Sequence, residues 1–368
     1  MSKEVSRLAF IDALKAIASQ LIVLHHLAFY GPLSDAAHRA APEFFGWLAS
    51  DARIAVQVFL VIGGFLAARS LAPSGILRAA PGFLLQAKKR YLKLVIPFLG
   101  AVIASILLSA IARQLFVDEA IPAAPNLTQV LSHALLLHGV LGIDSLSAGV
   151  WYVAIDFQLF LLLLSLLWVS QRFAGRQAHV AGALLVSAFA TASLLFFNRI
   201  SDWDNWAVYF FGAYGLGVLT CWLAGRKQSF AGWGILAAIA VAALLLDFRS
   251  RILVALLTAL ALGIASRWRF LESWPQGKVF AWLGRISYSV FLIHFPLILV
   301  VNGLFLRIAP TDPTSVLLIA GFAWACSVLA GDLFYRHVES RAGDWQAWVA
   351  GILSGLRARK PATLNDRG

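Results

Sequence analysis

Residues 11–26 read IDALKAIASQLIVLHH. The stretch sits in an apolar run long enough to cross a bilayer as a helix over residues 8–29, since a span needs about 20 mostly apolar residues. Within it stand Asp12, Lys15, His25 and His26. Ionisable groups in a bilayer cost several kcal/mol, so such groups mark function by default. Lys15 and His26 are eleven residues apart. At about 100° and 1.5 Å per residue they share one helix face and lie roughly 16 Å apart along it. One stripe therefore carries a cation deep at one end and an imidazole near the other. Asp12, three residues before Lys15, can neutralise it, and His25 turns about 100° away as a structural residue. Against a functional role, Lys15 is shallow enough to snorkel to the headgroups, and a membrane histidine can simply bridge helices.

The same reading extends outward along the chain. The 368 residues are 60% hydrophobic and only 13% charged, with mean hydropathy +0.80, far too apolar for a water-facing surface. Further spans are predicted near 52–72, 91–115, 150–170, 178–197, 207–224, 230–246, 252–267, 280–306 and 314–336. The expectation is an all-α integral membrane protein, a polytopic bundle of about ten transmembrane helices with cytoplasmic N- and C-termini. Residues 127–143, with His133 and His138, are apolar but short, which suits a re-entrant or interfacial helix. Residues 1–340 form one transmembrane domain, and 341–368, ending RARKPATLNDRG, a basic cytoplasmic tail that is partly disordered.

A net charge of +12 could suggest nucleic acid, but the basic residues cluster between apolar segments, as topology signals do, so no nucleic-acid partner is expected. With the N-terminus inside, outward segments hold Arg39, Arg53, Arg113, Arg199, Arg249, Arg251 and Arg307, seven of thirty basic residues. Twenty-two of the others fall at the inner face, which favours this orientation and a multi-pass protein of the cell (inner) membrane. Many of the thirteen Trp lie at segment ends, as in interfacial belts. Cys221 and Cys326 lie inside apolar runs, which argues against a disulfide framework or a cysteine metal site. The first apolar stretch carries charges and lacks a cleavage site, so it reads as a retained helix.

Three more segments carry chemistry. WYVAIDFQLF (151–160) places Asp156 about one and a half turns inside the outer end of its helix, at a depth similar to His26, its expected partner. ISYSVFLIHFP (286–296) puts Tyr288 and His294 in mid-membrane, where such groups commonly bond helices together. KKRYLKLVIP (88–97) is a cationic patch holding Lys89, Arg90 and Lys93. Topology and lipid-phosphate contact explain it as well as a phosphorylated ligand does.

In this order, these segments resemble the acyltransferase 3 family of membrane-bound acyltransferases over roughly residues 7–340. IDALKAIASQLIVLHH resembles the family's first helix, a basic residue, ten residues, then histidine, with Asp12, Lys15 and His26 in register. VQVFLVIGGFL (56–66) resembles its second-helix segment at Phe59 and Gly64. KKRYLKLVIP is similar to its basic stretch, WYVAIDFQLF to its Trp-to-carboxylate segment with Asp156 where Glu is usual, and ISYSVFLIHFP to its late Ser-Tyr…His segment. Lys15 replaces the usual Arg, keeping charge and losing a bidentate fork. Gln57 and Gly63 stand where the family often has Asp and Ser.

The resemblance implies transfer of an acyl group, usually acetyl, from cytoplasmic acyl-CoA to a hydroxyl of a carbohydrate or glycan acceptor. Acetyl-CoA is then a co-substrate and membrane lipids the surroundings, with no tightly bound cofactor and no metal; oligomeric state stays open. Catalytic candidates are His26, Asp156 and Lys15, and donor-binding candidates Lys89, Arg90 and Lys93. Neutral imidazole can take a hydroxyl proton near pH 7, with Asp156 orienting it as in a hydrolytic triad. A covalent acyl-histidine relay is the other route. A transporter or flippase of a glycan or other small anionic substrate also uses midplane charges, but no inverted repeat is evident. A sensory or scaffolding membrane protein is the third reading.

Overall fold

The computed structural model describes residues 7–78, 82–225 and 230–347. The tail from residue 348 and the loop holding Arg226 and Lys227 lie outside the described residues.

The described chain is helical, with no strand among its described residues. The helices are α1 (Ala9–Phe29), α2 (Pro32–Ala40), α3 (Pro42–Ser50), α4 (Val56–Leu71), α5 (Phe83–Leu115), α6 (Leu127–Ala134) and α7 (Val150–Ala174). There follow α8 (Ala178–Leu195), α9 (Ala207–Ala224), α10 (Phe230–Leu246), α11 (Ser250–Arg267), α12 (Phe270–Ser273), α13 (Lys278–Ile308) and α14 (Pro313–Phe334). Each of the ten expected spans coincides with a helix, but among the described residues eight stretches are long and apolar enough to cross a membrane. The difference has two sources. Helices α7 and α8 run as one 50-residue stretch, and α10 is apolar but short.

Close packing fixes the register. A Cβ on Gly64 would lie 1.9 Å from the Tyr214 carbonyl oxygen, and one on Gly217 2.0 Å from that of Val61. Helices α4 and α9 therefore touch backbone to backbone, as small residues permit in membranes. Gly284 does the same for α13 against Asp12 of α1, at 2.3 Å. Helices α1, α5 and α13 run parallel: Asp12 lies beside Gly284, His26 bonds His294, Tyr288 donates to the Leu94 carbonyl at 3.2 Å, and Gly303 meets Leu115. Asn302 pins the turn after α1, accepting from the Leu33 amide at 2.8 Å and donating to the Tyr30 carbonyl.

The segment between α5 and α7 folds into the bundle. The Tyr91 hydroxyl donates to the Ala134 carbonyl at 2.6 Å, Ser105 donates to that of Leu146, and His133 Nε2 accepts from the Leu146 amide at 3.1 Å. Leu127 and Leu131 of α6 and Leu135 just after it are exposed while His133 is buried, so the helix turns leucines outward and its imidazole inward. His133 and His138 stack with ring centroids 4.1 Å apart. Burial pushes both imidazoles down, His138 to about 4, which keeps them neutral. The segment is thus tied along α5 by its own hydrogen bonds.

Candidate acyl-transfer site

The folded-in segment changes the depth of α7. That helix begins at Gly149, where a Cβ would lie 2.9 Å from the Phe291 carbonyl oxygen of α13. Phe291 sits one turn below His294, so α7 starts at the level of the histidine rather than at an outer surface. Seven residues and roughly 10 Å further on, Asp156 meets Arg90 of α5: its carboxylate accepts from the guanidinium at 2.5 Å. The expected pairing of Asp156 with His26 is thus corrected. A depth counted from an interfacial helix start does not apply, because α7 starts at the level of Phe291.

Arg90 is corrected in the same step. It is not a free cation on the patch but half of an ion pair, with its guanidinium also over the Phe160 ring. A buried carboxylate needs such a partner to remain charged. Gly63 faces the pair: a Cβ there would be 3.6 Å from Asp156 Oδ1. Tyr152, Tyr214 and Tyr288 lie within electrostatic reach of Asp156 and Arg90. The Tyr214 hydroxyl is buried without a hydrogen-bond partner.

Lys15 bonds Asp12 at 3.1 Å, and Arg7 bonds the other oxygen at 2.8 Å, as the i, i+3 spacing allows. Lys93 lies one turn above Lys89 and within electrostatic reach of Arg90, Lys15, Asp156 and Glu339. Lys89 is exposed beside Lys88 at the start of α5. The structure therefore brings Lys15, Arg90, Lys93 and Asp156 together and leaves Lys89 outside the group.

Glu339 is the residue that sequence reading missed. After α14 the chain forms a π-helical turn, Tyr335–Glu339. Such turns often mark functional sites. This one sends Glu339 back to α13, where Ser289 donates to it at 2.5 Å, beside Lys15 and Lys93. The only signal in the sequence was an acid standing alone in a basic stretch.

His26 and His294 make the other end of the column. His26 Nδ1 and His294 Nε2 are 2.7 Å apart, with ring centroids at 4.9 Å and planes 19° apart. His294 Nδ1 sits 2.9 Å from the Val290 carbonyl oxygen. A carbonyl only accepts, so His294 carries its proton on Nδ1 and presents a bare Nε2. His26 must then donate from Nδ1, and its own Nε2 keeps the lone pair. The network therefore sets the tautomer that a base or nucleophile needs. Tyr30 and Phe295 border His26, at ring centroid distances of 5.3 and 6.1 Å. Between the two ends, Tyr152, Phe59 and Phe291 pack on one another, and Phe291 reaches His294 at 6.3 Å. Among the described residues no group of three or more His, Cys, Asp or Glu side chains could hold a metal ion.

A multi-helix membrane bundle with paired charges at one end and a tautomer-fixed histidine pair within it is the class that fold and site define. The family described as "Acyltransferase domain" matches residues 8–334. The chain belongs to this acyltransferase 3 family. It is also similar to the "Regulator of hypoxia-inducible factor 1" of Caenorhabditis elegans, 21% identical over 93% of this chain and 81% of that protein. No solved structure matches the chain significantly.

Proposed function

We propose that this membrane acyltransferase moves an acetyl group from acyl-CoA, bound at the Lys15–Arg90–Lys93 end, to a carbohydrate hydroxyl at His26. The observation that carries the reading is the hydrogen-bond chain Val290 carbonyl, His294, His26, which leaves His26 Nε2 as a free base. Nε2 takes the proton of the acceptor hydroxyl as its oxygen attacks the thioester carbonyl. The tetrahedral intermediate then expels the CoA thiolate, which recovers the proton from the imidazolium. His294 steadies that cation by accepting from Nδ1, the role a carboxylate has in a triad. The donor's phosphates are met by Lys15, Lys93 and the exposed Lys88 and Lys89, with Arg90 held on Asp156 as the fixed charge of the floor. In the membrane, about ten spans run with both termini and the Lys88–Lys93 patch in the cytoplasm, where acyl-CoA is available.

Release of free thiol from acetyl-CoA by purified protein, with and without candidate sugars, tests the chemistry. Acceptor-stimulated release that disappears in His26→Ala supports it; release unchanged in a folded variant sinks it. Reporter fusions after Ser74 and after Lys360 test the orientation, and an external position for both would reverse the donor side.

A further inference from the structure

A cavity of about 640 Å³ opens on the segment between α5 and α7, and it lies apart from the donor end. Its polar lining comes from Glu119, Asn126, Gln129, Asp144 and Ser145. That size falls in the range of small-ligand sites. Polar groups so arranged would be costly against lipid, so the cavity meets water or a polar molecule. Gln129 and Asn126 are set in place by the fold itself. Asn126 caps α6 by accepting from the Gln129 amide at 2.8 Å, and Gln129 donates its side-chain amide to the Asp144 carbonyl at 2.8 Å.

The back wall of the cavity leads to the histidines. Ala120 and Ile121 line it, and both pack in one apolar layer with Tyr30, Phe295, Leu299, Ala112 and Ala148. Tyr30 and Phe295 are the rings that border His26. The apolar wall of the cavity is therefore contiguous with the rings that border His26. Next to that layer are two hydroxyls with unmet hydrogen-bonding capacity: Ser109, one turn before Ala112, and Ser147, adjacent to Ala148, are both buried without partners. Both stand behind the cavity lining rather than in it.

The charge of the lining selects further. Glu119 and Asp144 are carboxylates, and no Lys or Arg side chain lines the cavity; Arg113 lies behind it, bonded to the Pro122 carbonyl. A site of that sign repels uronates and phosphates and accepts uncharged hydroxyl groups through amides and carboxylates. We infer that this cavity is the acceptor site and that its ligand is a neutral, polyhydroxylated carbohydrate. The inference rests on the acyl-transfer reading for its purpose, but its geometry stands without it.

The test places a thiol on the rim, Ser145→Cys, in the full chain, and follows its rate of modification by a membrane-impermeant maleimide. Wild-type protein, whose Cys221 and Cys326 are half-buried, supplies the background. Millimolar maltotriose or chitotriose should slow labelling several-fold, and trigalacturonate should not. Equal or better protection by trigalacturonate overturns the neutral class, and no protection by any of the three overturns the site. In the activity assay, Gln129→Ala should raise the KM for a neutral acceptor about fivefold, the worth of about one hydrogen bond, with the acetyl-CoA KM unchanged. An unmoved acceptor KM also counts against the site. Absence of thiol release by wild-type protein with every acceptor would instead defeat acyl transfer, while labelling still judges the cavity.

Discussion

Around Arg90 cations are met by carboxylates, whereas His26 and His294 bond to each other and His294 to the backbone of its own helix. Asp156 holds Arg90, Asp12 holds Lys15 and Arg7, and Glu339 lies beside Lys15 and Lys93. Among the described residues no carboxylate is in hydrogen-bond contact with the histidine pair. In the function proposed above, the difference separates two jobs. Charges balanced by neighbours can stay ionised within a bundle and exchange one anion for another when phosphates arrive. A base must start neutral, and an adjacent carboxylate would raise the pKa of the imidazole and hold its proton. His294 fixes the tautomer of His26 without adding charge, and in the function proposed above donor binding and proton transfer lie about 16 Å apart on one helix face.

The largest effect should come from the histidine end. His26→Ala should lower turnover by about 10²–10⁴-fold, the usual contribution of a positioned base, with acetyl-CoA binding retained. His294→Ala should be about tenfold to 10²-fold, because His26 keeps its ring but loses the group that fixes its tautomer. Steady-state rates with donor binding measured in parallel check both. A His294 variant more severe than His26→Ala would exchange their roles.

At the other end the largest loss should be of folding. Asp156→Asn leaves Arg90 without its counter-charge in a half-buried setting, which costs about 3–5 kcal/mol. Thermal melting in detergent should show it, and adding Arg90→Gln should restore part of the loss, since the stranded charge is then gone. If Asp156→Asn melts like wild type and loses only turnover, Asp156 belongs with the histidine after all.

These contrasts bear on what the sequence could tell. Hydropathy located the long helices because a helix that faces lipid is apolar over most of its length. It divided into ten segments what the structure shows as eight stretches long and apolar enough to span among the described residues. The stripe of Lys15 and His26 followed from helical geometry alone. The partner of Asp156 did not follow. Its depth depends on where α7 begins, and that is set by the return of residues 116–149 into the bundle, where Ser105 and Tyr91 bond carbonyls of the folded segment. Those bonds are long-range and leave no periodicity. Glu339 was hidden for a similar reason: an α-helical count past Phe334 does not foresee a five-residue π turn that carries the side chain to Ser289. His294 was visible as a mid-membrane imidazole, but its use as the partner of His26 required the parallel register of α1 and α13.

Glu339→Gln sharpens the picture of the charged end at a smaller scale. A carboxylate beside Lys15 and Lys93 competes with donor phosphates for the same cations. Removing its charge should lower the acetyl-CoA KM up to about fivefold, the worth of a partly exposed ion pair of ~1 kcal/mol, and leave kcat nearly unchanged. A raised KM would show that Glu339 positions Lys93 rather than competing for it.

The smallest effect should be at His25, the immediate neighbour of the base. Its ring is buried on a different face of α1, and its Nδ1 is 2.9 Å from the Leu48 carbonyl oxygen, so it ties α1 to the end of α3. The ring centroid is 5.2 Å from that of His26, close enough to touch but with its own hydrogen bond directed elsewhere. His25→Ala should lose that bond, about 0.5–1.5 kcal/mol, and change turnover by no more than about twofold, because neither the tautomer chain nor His26 Nε2 depends on it. The variant thus asks whether proximity to the reacting atom is enough to matter. A melting temperature slightly reduced with near-normal kcat answers no. A loss of turnover comparable to His26→Ala, in protein that still melts like wild type, would mean that the proton path includes His25 and that the chain ending at Val290 is not the one in use.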